Sequence, residues 1–278
     1  DYAAANVPEN ELRNVYLRPF KAAVEAGVAS VMTSFSEVDG VPATASERLV
    51  RGILKDEWGF DGFVVSDWDS VRQLHTHGLT ANDRESALEA ARAGVDMEMH
   101  GDAYIAHLPA LVRGGEIDEA LVDAAVRRIL GVKFRLGLFE NPYTDPAALP
   151  PVASEEALAT ARRAARRGIV LLTNPHRVLP LSLGKLRSLA VIGPLADAPD
   201  DQLGTWVFDG DPGLSVTPLQ AIRELGAGRL ELRYLRALET SRSRDTREFA
   251  EAAALAAQSD ATILFLGEEA ILSGEAHC

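Results

Sequence analysis

The chain has 278 residues, 47% hydrophobic and 25% charged, a composition that fits a soluble globular protein of one large or two ordinary domains. A formal net charge of −13 excludes the basic surface with which proteins release counterions from nucleic acid, so no nucleic-acid partner is expected. The single cysteine, Cys278, excludes an internal disulfide framework, and no apolar run approaches the ~20 residues of a membrane span.

The first residue is Asp1 rather than Met, with no signal peptide ahead of it, so the start of the gene product is expected to lie upstream. Helices are expected over 20–29, 45–58, 84–94 and 118–136. In 45–58, Leu49, Val50, Ile53, Leu54 and Trp58 share a face, with Ser46 placed to cap it. In 118–136, Leu121, Val122, Ala125, Val126, Ile129 and Leu130 repeat the pattern behind Asp118. Short apolar runs lie between the helices: ASVMTSF (29–35), GFVVSDW (62–68) and GVDMEM (94–99). They lack polar alternation, so strands buried on both faces of a parallel sheet are expected.

Repeated strand–helix units give an α/β domain. Three strands cannot close a (β/α)8 barrel of about 250 residues. They form either a small open sheet or the last part of a barrel. Polar and aromatic residues at the three strand ends (Ser34–Phe35, Asp67–Trp68 and Glu98–His100) favour the barrel, whose active sites are built at the carboxyl ends of its strands. The first domain is expected over 1–136. Residues 137–153 hold four of the 14 prolines and read as a linker.

A second α/β unit is expected over 154–278. It begins with a basic helix at 154–167 and continues with strands at GIVLLTN (168–174), SLAVIGP (188–194), 230–235 and ATILFLG (261–267). Helices near 217–225 and 245–258 lie between them. A doubly wound sheet normally continues past such a last strand, so this end is also expected to be cut. The RRAARR stripe at 162–167 is read as a solvated or interdomain face before an anion site.

The residues that could carry chemistry start with Asp67, which has no oppositely charged neighbour in sequence before Arg72. It is either an ordinary loop acid or a carboxylate held at a strand end beside an aromatic ring, Trp68. Hydrolysis of a glycoside needs a second carboxyl group across the bond, and Glu268, Glu269 and Glu275 follow the last strand. On the residues alone, solvated loop acids remain the competing reading. His75 and His77 lack a third ligand and read as loop or pocket-rim residues; His100 and His107 have no ligand spacing. GEEAILSGE is not a phosphate loop.

The segment GFDGFVVSDW, preceded by SVMTSFSEVDGVPATAS and followed by AGVDMEM, resembles glycoside hydrolase family 3, most of all its periplasmic β-glucosidases and exo-β-glucanases. LVDAAVRRIL, KFRLGLFENPY, ARRGIVLLTN, LAVIGPLAD and LGTW extend the likeness over nearly the whole chain. The resemblance implies the C-terminal part of a (β/α)8 TIM-type barrel, then the start of an α/β sandwich domain. It implies a retaining hydrolase that releases terminal β-D-glucosyl residues from β-linked glucosides or oligosaccharides, without metal or organic cofactor, in the periplasm or outside the cell.

Carried over by motif, Asp67 matches the nucleophile and Glu275, in SGEAH, the acid/base. Trp68 and Trp206 match rings that grip the sugar beyond the cleaved bond, and Met32 lies where the family often has a methionine lining the glycone pocket. Phe35 stands where many members have tyrosine. Asp69, on the strand face of Asp67, is the competitor for its role. The two catalytic carboxyls of a retaining enzyme are expected ~5–5.5 Å apart. The alternatives are a β-xylosidase or an N-acetylhexosaminidase of the same family, or a non-catalytic carbohydrate-binding remnant.

Overall fold

The computed structural model describes residues 3–274. The chain divides into two compact units, 1–148 and 149–278, each an α/β structure built on a small, open, parallel sheet. Among the described residues no helix is long and apolar enough to cross a membrane.

In the first unit the strands Ser30–Met32, Phe63–Trp68 and Met97–Met99 run parallel, with Phe63–Trp68 in the middle. Val31 pairs with Val64, and Val65 with Met97. The helices Arg18–Glu25, Arg48–Glu57, Asp83–Ala93, Ala103–Arg113 and Glu119–Arg135 occur in the expected order. Each of the last four has a local cause. Ser46 accepts the N–H of Leu49 at 3.3 Å, opening the helix that buries Val50, Ile53 and Leu54. Asn82 accepts from Glu85 N, and Gly94, at φ 103°, ends that helix in the left-handed conformation glycine adopts freely. The carboxylate of Glu98 accepts the first N–H groups of the Ala103–Arg113 helix, and that of Asp118 accepts from Ala120 N.

Val50, Leu54, Val64, Leu74, Ala90 and Leu111 belong to one buried cluster joining the helices to the sheet. The expectation of strands buried on both faces is not met here. Val64 and Ser66 are buried while Phe63, Val65 and Asp67 are only half-buried, and Met32 and Met97 are exposed. The physical reason is coverage: the core helices pack on the face carrying Val64, and three strands do not curl far enough to enclose the other face. Val126 and Leu130, on the expected apolar stripe of the Glu119–Arg135 helix, are likewise exposed. A second small sheet, Ala4–Ala5 with Glu37–Val38 and Val41–Pro42, was not foreshadowed by any apolar run.

One buried charge network ties the layers together. Lys55 Nζ lies 2.7 Å from Asp96 Oδ2 and donates to the Gly94 carbonyl at 2.6 Å. The same Asp96 oxygen accepts Val64 N–H at 2.8 Å, and its other oxygen receives Arg128 at 3.2 Å. Burial lowers the pKa of Lys55 even though Asp96 pulls it the other way.

In the second unit, Ser188–Ile192 is the middle strand between Glu231–Leu235 and Ala261–Leu264, all parallel. Here the continuous apolar run does mark a strand buried at every position. The Pro218–Gly226 helix starts with a reciprocal capping box between Thr217 and Gln220, and the Phe249–Ala257 helix follows. The basic helix is Glu155–Gly168. The strand expected at 168–174 does not form. Residues 169–173 form neither helix nor strand among the described residues, and Ile169 and Leu172 are 78% and 90% exposed. An apolar β-branched run supplies strand propensity, but without a partner edge it makes no ladder.

Candidate active site

The middle strand of the first unit carries Asp67 and Trp68 at its carboxyl end. The ladder with Met97–Met99 is irregular between Val65 and Trp68. Ser66, fully buried, fills the gap: its hydroxyl accepts Met99 N–H at 2.8 Å and donates to the Asp67 carbonyl at 2.8 Å. Such irregularities re-aim side chains at strand ends. Beyond it, Trp68 pairs with Met99, and Asp69 N–H reaches the Met99 carbonyl at 2.9 Å.

Asp67 is half-buried. One of its carboxylate oxygens accepts the backbone N–H of Trp68 at 2.7 Å. No cation is paired with it among the described residues. The competitor Asp69 sits differently. Its φ of 57° takes it off the strand, so it does not share the face of Asp67. Its carboxylate stands 3.9 Å from Arg72, which also binds Asp83 at 3.1 Å. Asp83 in turn lies 3.3 Å from His75, and His77 lies 3.3 Å from Glu37. Below this rim, the buried hydroxyls of Thr33, Thr44 and Ser70 form a chain with steps of 2.9 and 3.0 Å, joining the turns that follow two neighbouring strands.

Met32 ends the adjacent strand, opposite Val65 in register and 52% exposed. Phe35 is buried at 7% exposure, so its ring serves chiefly as packing. Trp68 is 57% exposed, and its ring stacks on His100 with centroids 4.0 Å apart and planes at 19°. Spacing arguments gave His100 no role; a left-handed residue just past a strand end has no signature in sequence. Glu98, on the same rim, has its pKa raised, first by burial and then by the nearby Asp102 and Asp69, against the opposing bonds from Tyr104 and Ala103 N–H. Tyr104 is also held protonated by burial; its hydroxyl donates to the Val95 carbonyl at 2.9 Å.

In the second unit Trp206 is exposed, with Phe208 tilted beside it at 6.4 Å. Thr205, the preceding residue, bonds Ser273 Oγ at 2.7 Å, and Asp201 accepts Ala270 N–H at 2.8 Å. These contacts bring the segment around Trp206 against residues 270–273. Glu269 is occupied by Ser241 N–H at 3.0 Å and by Arg242 at 3.7 Å. Glu275 lies outside the described residues. Within the first unit, then, Met32, Asp67 and Trp68 gather at neighbouring strand ends.

The chain belongs to glycosyl hydrolase family 3. Residues 1–132 match the Glycosyl hydrolase family 3 N terminal domain, and residues 169–277 match the Glycosyl hydrolase family 3 C-terminal domain. It is 38% identical over 229 residues to the periplasmic beta-glucosidase of Salmonella typhimurium, covering 80% of this chain and 30% of that protein. It is 34% identical over 292 residues to a beta-xylosidase of Formosa agariphila, covering 98% of this chain and 39% of that one. The crystal structure of a beta-glucosidase from Listeria innocua in complex with glucose is similar over 100% of this chain and 37% of that one, at 35% identity and a TM-score of 0.88. The chain thus spans roughly a third of the length of the curated relatives it matches.

Proposed function

We propose that this chain carries the catalytic carboxylates of a retaining glycoside hydrolase that releases terminal β-D-glucosyl residues from β-glucosides and β-glucans. The observation that carries the reading is Asp67 itself. It is a carboxylate at the end of a central parallel strand, fixed by the Trp68 N–H, unneutralised by any paired cation among the described residues, and flanked by an exposed indole. In this reading residues 1–136 are the C-terminal part of a (β/α)8 barrel, 137–153 a linker, and 154–278 the start of an α/β sandwich domain. The periplasmic beta-glucosidase relative supports a periplasmic or secreted site of action.

The chemistry assigns the acids opposite tasks. Asp67 stays ionised and attacks the anomeric carbon, displacing the leaving oxygen and forming a glycosyl–enzyme ester. Glu275 starts protonated, gives its proton to that oxygen, then takes one from the water that cleaves the ester. The Trp68 N–H holds the Asp67 carboxylate in one orientation, and the rings of Trp68 and Trp206 orient the sugar beyond the cleaved bond. Met32 lines the glycone side.

The test is trapping in the intact protein with a 2-fluoro glucoside that has a good leaving group, followed by peptide mapping. The adduct is expected on Asp67. An adduct on Asp69, or sugar binding without any adduct, would refute the assignment. The similarity to a beta-xylosidase supports a second reading of the glycone, and relative kcat/KM on aryl β-glucoside and aryl β-xyloside decides between them.

A further inference from the structure

We propose that His100 is a positioning residue that backs the indole of Trp68, so that the ring offers its opposite face to the sugar beyond the cleaved bond. The proposal deepens the hydrolase reading and rests on it. The rings stack almost parallel, at 4.0 Å and 19°, while Trp68 remains largely exposed. One face of the indole is therefore taken, and the other is open. An unbacked tryptophan at a strand end samples several rotamers, and a sugar that stacks on it must first order the ring. A stacked partner does that ordering in advance.

The backbone is arranged to hold His100 there. Asp69 and His100 follow neighbouring strands, and both adopt positive φ, at 57° and 67°. For non-glycine residues this conformation is uncommon and costly, and it persists where surrounding structure enforces it. The enforcement is visible. Asp69 N–H is tied to the Met99 carbonyl, and Met99 N–H to Ser66 Oγ. The Glu98 carboxylate grips Ala103 and Tyr104 N–H at 3.2 and 2.7 Å, closing the loop on which His100 sits. Gly101 packs so tightly against that carboxylate that a Cβ there would collide with Glu98 Oε1. The chain turns where it must for His100 to reach Trp68.

The experiment compares two substrates in the intact protein: cellobiose, whose leaving sugar reaches Trp68, and β-glucosyl fluoride, whose leaving group does not. For His100→Ala, kcat/KM on cellobiose is expected to fall about two- to tenfold further than on the fluoride, the size of one lost aromatic contact, with the loss mainly in KM. His100→Phe, which keeps a flat ring, is expected to restore the wild-type ratio. An unchanged ratio in His100→Ala, or a ratio not restored by phenylalanine, overturns the proposal and leaves the hydrolase reading standing. Wild-type protein inert toward both substrates overturns the hydrolase reading and this proposal together.

Discussion

Replacing Asp96 by asparagine tests whether the buried charge network holds the first unit together. The side chains of Asp96 and Lys55 are 3% and 5% exposed, so neither charge has water to fall back on. Asp96 accepts three bonds, from Lys55, Val64 N and Arg128. The amide can keep its carbonyl toward Lys55 and Val64 N–H, but it then turns a donor toward Arg128 and leaves the Lys55 ammonium without a counterion. Breaking one partner of such a pair costs about 3–5 kcal/mol. In a unit of this size that corresponds to a fall of roughly 10 °C in its melting transition. The lowered pKa of Lys55 points the same way, since burial already works against its charge while Asp96 is present.

Calorimetry on the intact protein should show the transition of the first unit moved and that of the second unit in place. The double replacement Lys55→Met with Asp96→Leu supplies the control. It removes both buried charges and should recover most of the loss, leaving a deficit of about 1–3 kcal/mol for the unpaired Val64 N–H. A shift under about 2 °C for Asp96→Asn, or a double variant as damaged as the two single losses added, would refute the reasoning.

Asp67→Asn should abolish turnover with the fold intact by circular dichroism, whereas Trp206→Ala should chiefly raise KM; equal modest losses from both would contradict their assigned roles. Glu98 is an acid whose folded pKa is raised, so the folded state binds the extra proton between its ordinary value near 4.5 and the raised one. Stability of the first unit should therefore fall as pH rises through that window, and Glu98→Gln should flatten the slope in denaturant titrations taken at successive pH values. Thr217→Ala removes both the buried cap of the Pro218–Gly226 helix and the 2.7 Å bond to Asp197, and should cost the second unit about 1–2 kcal/mol by urea unfolding.

Much of the fold was legible because period and punctuation agree. Ser46 and Asp118 open helices where the apolar stripe begins, the 84–94 stretch is a helix, and the SLAVI run is a strand. Where the reading missed, it missed through partners. IVLL at 169–172 has strand composition but pairs with no strand among the described residues, and FVVSDW lacks polar alternation although one of its faces is only half covered. The pairing of Lys55 with Asp96 joins residues 41 apart, and no local pattern reports it. Of the candidate site, Asp67 and Trp68 could be placed at a strand end because strand ends are where a parallel sheet exposes side chains, whereas Met32 came only through the family resemblance. His100 could not, because its role depends on a backbone turn that composition does not encode.

Ser66 sets how the strand ends at Asp67. A strand that simply continued in register would pair Asp67 into the ladder with Met97–Met99. Ser66 prevents this. Its buried hydroxyl takes the Met99 N–H that a backbone carbonyl would otherwise accept, and gives its proton to the Asp67 carbonyl. The two strands stay in contact while their register slips, and the slip lets Trp68 lend its N–H to the carboxylate before the chain turns at Asp69. Valine at position 66 would satisfy the apolar pattern and strand propensity better, yet it would leave a buried donor unpaired, at a cost of about 1–3 kcal/mol. A serine in an otherwise apolar strand is thus the local condition for the register slip that leaves Asp67 outside the ladder pairing at the strand end.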